Sequence, residues 1–224
     1  AVAIVLNHLA DHLPMHRSAW RLPACASCDA PFGRVQWFGL MALATGRRHC
    51  RSCGKPLPHR RWALEVGVAA LYAALACRYP LSWSLLTACV HGAILALVTV
   101  TDLEQRKVPD AAILPASLAA LLLTLVLCSR CLPAVVLGGA LAFVAFLALA
   151  LAYRGAMGFG DVTLAGYVGL IAGFPRILVC LLLTALTGGA FAALLLATGK
   201  ATRKTYIPYA PFLALGGLLA LFYL

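Results

Sequence analysis

A chain of 224 residues that is 63% hydrophobic, 11% charged and has a mean hydropathy of +0.93 excludes an ordinary soluble domain. Its length allows roughly seven or eight spans of about 20 residues each. The net charge of +11 is not accompanied by a stripe of interleaved aromatic and basic side chains, so nucleic acid is not the expected partner.

Residues 1–10 read as the end of a first span, too short to cross alone. No starting Met is present, so the amino terminus is expected to be incomplete, and the charged start and cleavage site of a secretory signal are missing. Residues 11–61 are the one polar segment long enough for a small domain, rich in Arg, Pro, Gly and Cys. Within it lie Cys25-Ala26-Ser27-Cys28 and Cys50-Arg51-Ser52-Cys53, separated by 21 residues. Each pair is a knuckle that presents two thiolates, and two knuckles make a tetrahedral Cys₄ zinc site with no open position, hence a structural metal. Such a site supplies folding energy that about 50 polar residues cannot draw from a core. The competing readings are two disulfides or a redox Cys-x-x-C. His49 is expected to be a neighbour rather than a ligand.

From residue 62 onward the chain is spans and short loops, at about 62–77, 81–100, 111–128, 133–153, 162–174, 175–197 and 208–224. The reading is an all-α polytopic membrane bundle of about eight helices, with residues 62–224 as its core. Paired glycines at 138–139, 188–189 and 216–217 suit close helix packing in lipid. Glu65, inside the second span, would be costly if it faced lipid, so it is expected to face the bundle. A structural hydrogen bond and a substrate or cofactor contact both remain open for it. Cys77, Cys89, Cys128, Cys131 and Cys180 read as packing residues, although Cys128 and Cys131 could instead pair in an oxidising periplasm.

Numbering the spans alternately puts segments 11–61, 101–110, 154–161 and 198–207 on one side, and these hold 15 of the 18 Lys and Arg. By the positive-inside rule that side is cytoplasmic, where the basic groups also meet anionic lipid. Stable disulfides are disfavoured there, which favours zinc for the four cysteines of the polar segment.

Among seven acids, Asp102 and Asp161 stand at the edges of long apolar runs. Low dielectric there disfavours the charged carboxylate, and two such groups together can share a proton for acid–base work. Both follow inward-running spans and so emerge at the cytoplasmic face, although span order alone does not bring them together. Gly158 and Gly160, flanking Phe159, give a backbone that an extended peptide could approach. The plainer alternative is helix capping, a role that Asp110 suits better, standing before an apolar run.

These residues resemble the type IV prepilin peptidases, membrane aspartic proteases of the Gly-x-Gly-Asp class. The first family motif appears as Asp102-Leu103 with Pro109-Asp110, and the second as Gly158-Phe159-Gly160-Asp161-Val162. The paired Cys-x-x-C loop lies between the first two spans as in bacterial members. Arg61-Trp62-Ala63-Leu64-Glu65 is similar to the start of the family's second span, and Ile207-Pro208-Tyr209-Ala210-Pro211-Phe212-Leu213 to its last-span signature. Asn7 and Leu13-Pro14 fit its first-span exit. The likeness covers nearly the whole chain. Departures are Thr163 where the family usually has Lys, Ala210 where it has Gly, Ala3-Ile4-Val5 for Gly-Ser-Phe and His12 for Arg.

The resemblance implies an endopeptidase of the bacterial cytoplasmic membrane with catalytic Asp102 and Asp161. Gly158, Gly160, Glu65 and Asp110 would be substrate-binding or supporting residues, and Cys25, Cys28, Cys50 and Cys53 would hold zinc. Its substrate would be a prepilin or pseudopilin of a type IV pilus or type II secretion system. Many bacterial members also methylate the new amino terminus with S-adenosylmethionine, for which no motif is visible in the chain. A reading from another class is a non-enzymatic assembly protein that docks secretion or pilus machinery through its zinc loop. Oligomeric state is not legible.

Overall fold

The computed structural model describes residues 2–13, 23–25, 27–152, 157–200 and 208–222. Pro14 and Ile207 of the motifs above lie outside the described residues, as does Ala26 of the first knuckle. The described residues form ten α-helices and two isolated antiparallel bridges, and no strand is found among them. The chain divides into two compact units, Ala1–Val100 and Thr101–Leu224.

The first unit contains α1 (Val2–His12), the short helices α2 (Arg34–Trp37) and α3 (Gly39–Ala44), and α4 (Arg60–Arg78), followed by most of α5 (Trp83–Gln105). Helices α1 and α3 both pack against α4. Arg61, only 4% exposed, organises the junction. Its guanidinium lies 4.4 Å from the Phe32 ring centroid, donates to the Gln36 carbonyl at 3.1 Å and pairs with Asp11 at 3.3 Å. Arg60 pairs with the same carboxylate, and the Asn7 amide donates to the Arg61 carbonyl at 3.2 Å. A buried guanidinium is tolerable because its donors meet a charge, a carbonyl and a ring face together.

The second unit holds the last residues of α5, then α6 (Asp110–Leu127), α7 (Leu132–Ala152), α8 (Phe159–Ala172), α9 (Arg176–Ala197) and α10 (Ala210–Phe222). Helix α8 is buried nearly all round and packs against α6, α7, α9 and α10. A helix apolar on every face belongs in a core. The helices around it turn large apolar side chains outward, including Leu118, Leu122, Val144, Leu151, Leu182 and Leu186. That outward greasiness is what a lipid-facing surface requires.

Among the described residues, four helical segments are long and apolar enough to cross a membrane: Trp83–Gln105, Asp110–Leu127, Ser129–Ala152 and Arg176–Ala197. Helices α8 and α10 are apolar but span only 14 and 13 described residues. The expectation of about eight crossing helices is thus matched by four on length and composition. Two boundaries also shift. Helix α5 runs through Asp102 to Gln105, and α8 begins at Phe159, so both aspartates lie inside helices rather than just outside them. Leu103, Glu104 and Gln105 are good helix formers that extend α5, while Gly158 supplies the extended N-cap of α8.

Candidate active site and metal centre

Asp102 and Asp161 are 1% and 2% exposed, and both belong to the second unit. Asp102 sits in the last turn of α5, and its Oδ2 accepts the Ala210 N–H at 3.2 Å. Ala210 begins α10, whose first N–H groups lack partners within the helix, so the carboxylate meets both a free donor and the positive end of the helix dipole. Asp161 lies in the first turn of α8, close enough for the charge of Asp102 to act on it. Tyr209 is likewise within electrostatic reach of Asp161, and its ring stacks at a tilt on Phe146 with centroids 5.9 Å apart. Asp161 Oδ1 is buried with no hydrogen-bond partner among the described residues. A buried carboxyl oxygen left unpartnered beside a second buried carboxyl marks a candidate functional site, while Asp161 also keeps a backbone hydrogen bond to Gly158, the N-cap of its own helix.

The loop after Asp102 and the first turn of α8 touch directly. A Cβ added at Gly160 would lie 2.7 Å from the Val108 Cβ, so the space a side chain would take there is occupied by Val108. A Cβ at Gly158 would meet only Asp161 Oδ2, at 3.9 Å. Asp110 opens α6, and its Oδ1 accepts from the Thr163 hydroxyl at 2.7 Å. Thr163, noted in the sequence only as a departure, therefore joins the two motif segments. The Asp102–Ala210 bond was not legible either, because its partners are 108 residues apart. Its one signal was the Pro208-x-x-Pro211 bracket at the start of the last apolar run. Since the backbone of Ala210 makes this bond, replacing the family's glycine leaves it intact.

Glu65 belongs to the first unit. Its two carboxylate oxygens accept the N–H groups of Gly39 at 2.6 Å and Leu40 at 2.8 Å, capping α3 from α4. Both oxygens are engaged in this fold contact.

The thiols of Cys25, Cys28, Cys50 and Cys53 all lie within 4.8 Å of one another, with two Sγ–Sγ edges of 3.7 Å, Cys25 to Cys53 and Cys28 to Cys50. A tetrahedron with Zn–S bonds of about 2.3 Å has edges of about 3.8 Å, so the donor set fits zinc. The two knuckles repeat one design. The N–H groups of Cys25 and Cys50 donate to Ala30 and Lys55, and the carbonyls of the same cysteines accept from Asp29 and Gly54. Asp29 and Gly54 take the same left-handed conformation, at φ 55° and 69°. The N–H groups of Cys53 and Ser52 are directed at the Cys50 thiol, an arrangement that suits the thiolate a metal ligand must be. His49 stands aside from the four sulfurs, with its backbone carbonyl accepting from Gln36 Nε2 at 2.8 Å. Cys128 and Cys131 form a disulfide across the turn from α6 to α7.

The chain matches the type IV leader peptidase family over residues 89–193, a stretch that contains both aspartates, Asp110, Gly158 and Gly160. It is 26% identical over 215 residues to a Bacillus subtilis protein named prepilin leader peptidase/N-methyltransferase, covering 94% of this chain and 86% of that one. Proteins of the same name from Aeromonas hydrophila and Pseudomonas putida are each 27% identical. Those matches cover 88% and 89% of this chain, and 70% and 72% of the relatives. No solved structure matches the chain.

Proposed function

We propose that this chain, which carries a type IV leader peptidase domain, is a membrane endopeptidase that removes the leader peptide from type IV prepilins or pseudopilins. The observation that carries the mechanism is the pair of buried aspartates, Asp102 and Asp161, brought within electrostatic reach with Asp161 Oδ1 unpartnered. One carboxylate takes a proton from water as that water attacks the scissile carbonyl carbon. The other, protonated, donates to the carbonyl oxygen or the departing amine. Two like charges held close do not ionise together cheaply, so the pair works as a unit with one proton between them. The basic leader stays at the cytoplasmic face while the substrate's hydrophobic helix lies in the bilayer, which places the scissile bond beside the ends of α5 and α8 that carry the acids. Gly158, next to Asp161, would lie along the bound peptide.

The four cysteines hold structural zinc in this reading. Bound zinc supplies folding energy to the segment between α1 and α4 and takes no part in the cleavage. The proposal extends to methylation of the new amino terminus with S-adenosylmethionine on the strength of the relatives' name. The described residues are assigned no step in it.

The test uses purified protein in detergent and a prepilin with an intact leader. Asp102→Asn and Asp161→Asn, each folded by thermal melt, should lose cleavage by on the order of 1,000-fold or more, the scale of a lost general acid or base. If both variants cleave at the wild-type rate, the two-aspartate mechanism is wrong. Function surviving both Asn changes but abolished by Cys25→Ser would move the docking reading to the front. Labelled S-adenosylmethionine in the same reaction reports methyl transfer to cleaved pilin, and no label on that product removes the second activity.

A further inference from the structure

We infer that Thr163 is a positioning residue for the Asp102–Asp161 pair, fixing through Asp110 the rotation of the first turn of α8 about its own axis. The inference rests on the leader-peptidase reading. A helix's first turn is its most weakly held part, because its N–H groups lack intrahelical partners. Two of the contacts that hold this one come from the segment that follows Asp102. Val108 fills the space where a Gly160 side chain would be, which sets how closely the segment approaches. The Thr163 hydroxyl donates to Asp110 Oδ1 at 2.7 Å, a directional bond to an acid at the start of α6, where the helix dipole favours a negative charge.

Asp161 lies between these anchors in sequence. Residues two apart on a helix are separated by about 200°, so Thr163 and Asp161 leave α8 on nearly opposite sides. Holding one sets the direction of the other. Side-chain tips stand about 5–6 Å from a helix axis, so a turn of about 10° carries the Asp161 carboxyl about 1 Å. A misplacement of about 1 Å is enough to cost on the order of 100-fold in rate.

The same hydroxyl lies 2.9 Å from the Gly160 carbonyl of its own turn. It has one proton and donates to one acceptor at a time. Without Asp110 it can therefore bond within its own helix, and the turn stays helical but loses its rotational reference.

The experiment measures kcat and KM for prepilin cleavage by wild type, Thr163→Val, Thr163→Ser, Asp110→Ala and the Thr163→Val/Asp110→Ala double variant, alongside thermal melts. Thr163→Val keeps the side chain's shape, and kcat should fall on the order of 10-fold with KM within about 2-fold, the signature of a misaligned reaction rather than lost binding. Thr163→Ser should recover to within about 2-fold, and the double variant should be no slower than the worse single one, as expected for two residues acting through one bond. An active wild type with unchanged kcat in Thr163→Val overturns this inference and leaves the peptidase reading standing. So does a rate loss that follows the melting temperature and is not rescued by Ser. A folded wild type that cleaves no prepilin overturns both.

Discussion

Glu65 shows how one acid in an apolar stretch is held by geometry alone. It accepts two backbone N–H groups of α3, at 2.6 and 2.8 Å, and α3 has only six residues with which to organise its own first turn. Removing the carboxyl leaves two donors without their acceptor, a cost of about 1–3 kcal/mol for the pair in this partly exposed place. Glu65→Ala should therefore lower the melting temperature by several degrees, on the scale of about 2–4 °C per kcal/mol for a chain of this size. Glu65→Gln keeps one carbonyl oxygen and should fall between the two. A melt of Glu65→Ala within about 1 °C of wild type would show that the cap contributes nothing. The sequence left Glu65 open between a fold contact and a ligand contact, since its partners lie 25 and 26 residues away and only tertiary structure joins them. Asp102 and Asp161 were legible for the opposite reason: acids are so scarce and so costly in this chain that each one at an apolar edge draws attention.

At the scale of helices, apolar runs gave most boundaries to within a residue or two: 111–128 against Asp110–Leu127, 133–153 against Leu132–Ala152, 175–197 against Arg176–Ala197. Sequence could not say which glycines matter, because a glycine's importance depends on what its missing side chain would strike. At Gly169 an added Cβ would collide with the Gly138 carbonyl oxygen, so α7 and α8 meet backbone to backbone. At Gly189 an added Cβ would meet nothing within 4 Å. Gly169→Leu must push α8 away from α7 and with it Asp161, and overpacking of this kind costs about 1–3 kcal/mol or more. Cleavage should be lost in Gly169→Leu and kept in Gly189→Leu, with folding followed by gel filtration and melts. Equal activity in the two variants would mean that α7 and α8 need no close contact.

Two features of the chain bear on the proposed orientation. Basic residues gather in segments 11–61, 101–110, 154–161 and 198–207, and Cys128 and Cys131 pair at the turn from α6 to α7. Helix α6 has 18 residues and is about 27 Å long, close to the roughly 30 Å thickness of the hydrocarbon layer. Asp110, bonded to Thr163 beside the aspartate pair, begins that helix, and Cys128 follows its end. The acids and the disulfide therefore stand at opposite ends of a membrane-length helix. Disulfides persist in oxidising compartments and basic loops stay cytoplasmic, so the proposed orientation puts the acids at the cytoplasmic end of α6 and the disulfide at the other. In sealed vesicles of known orientation, an impermeant maleimide should reach Lys107→Cys, in the exposed loop after Asp102, only from the cytoplasmic side. Cys128 and Cys131 should react only after reduction and only from the other side, with mass spectrometry locating each adduct. Labelling of both from one side would mean that α6 does not cross, and a leader peptidase facing the cytoplasm would then have to be rebuilt on a different topology.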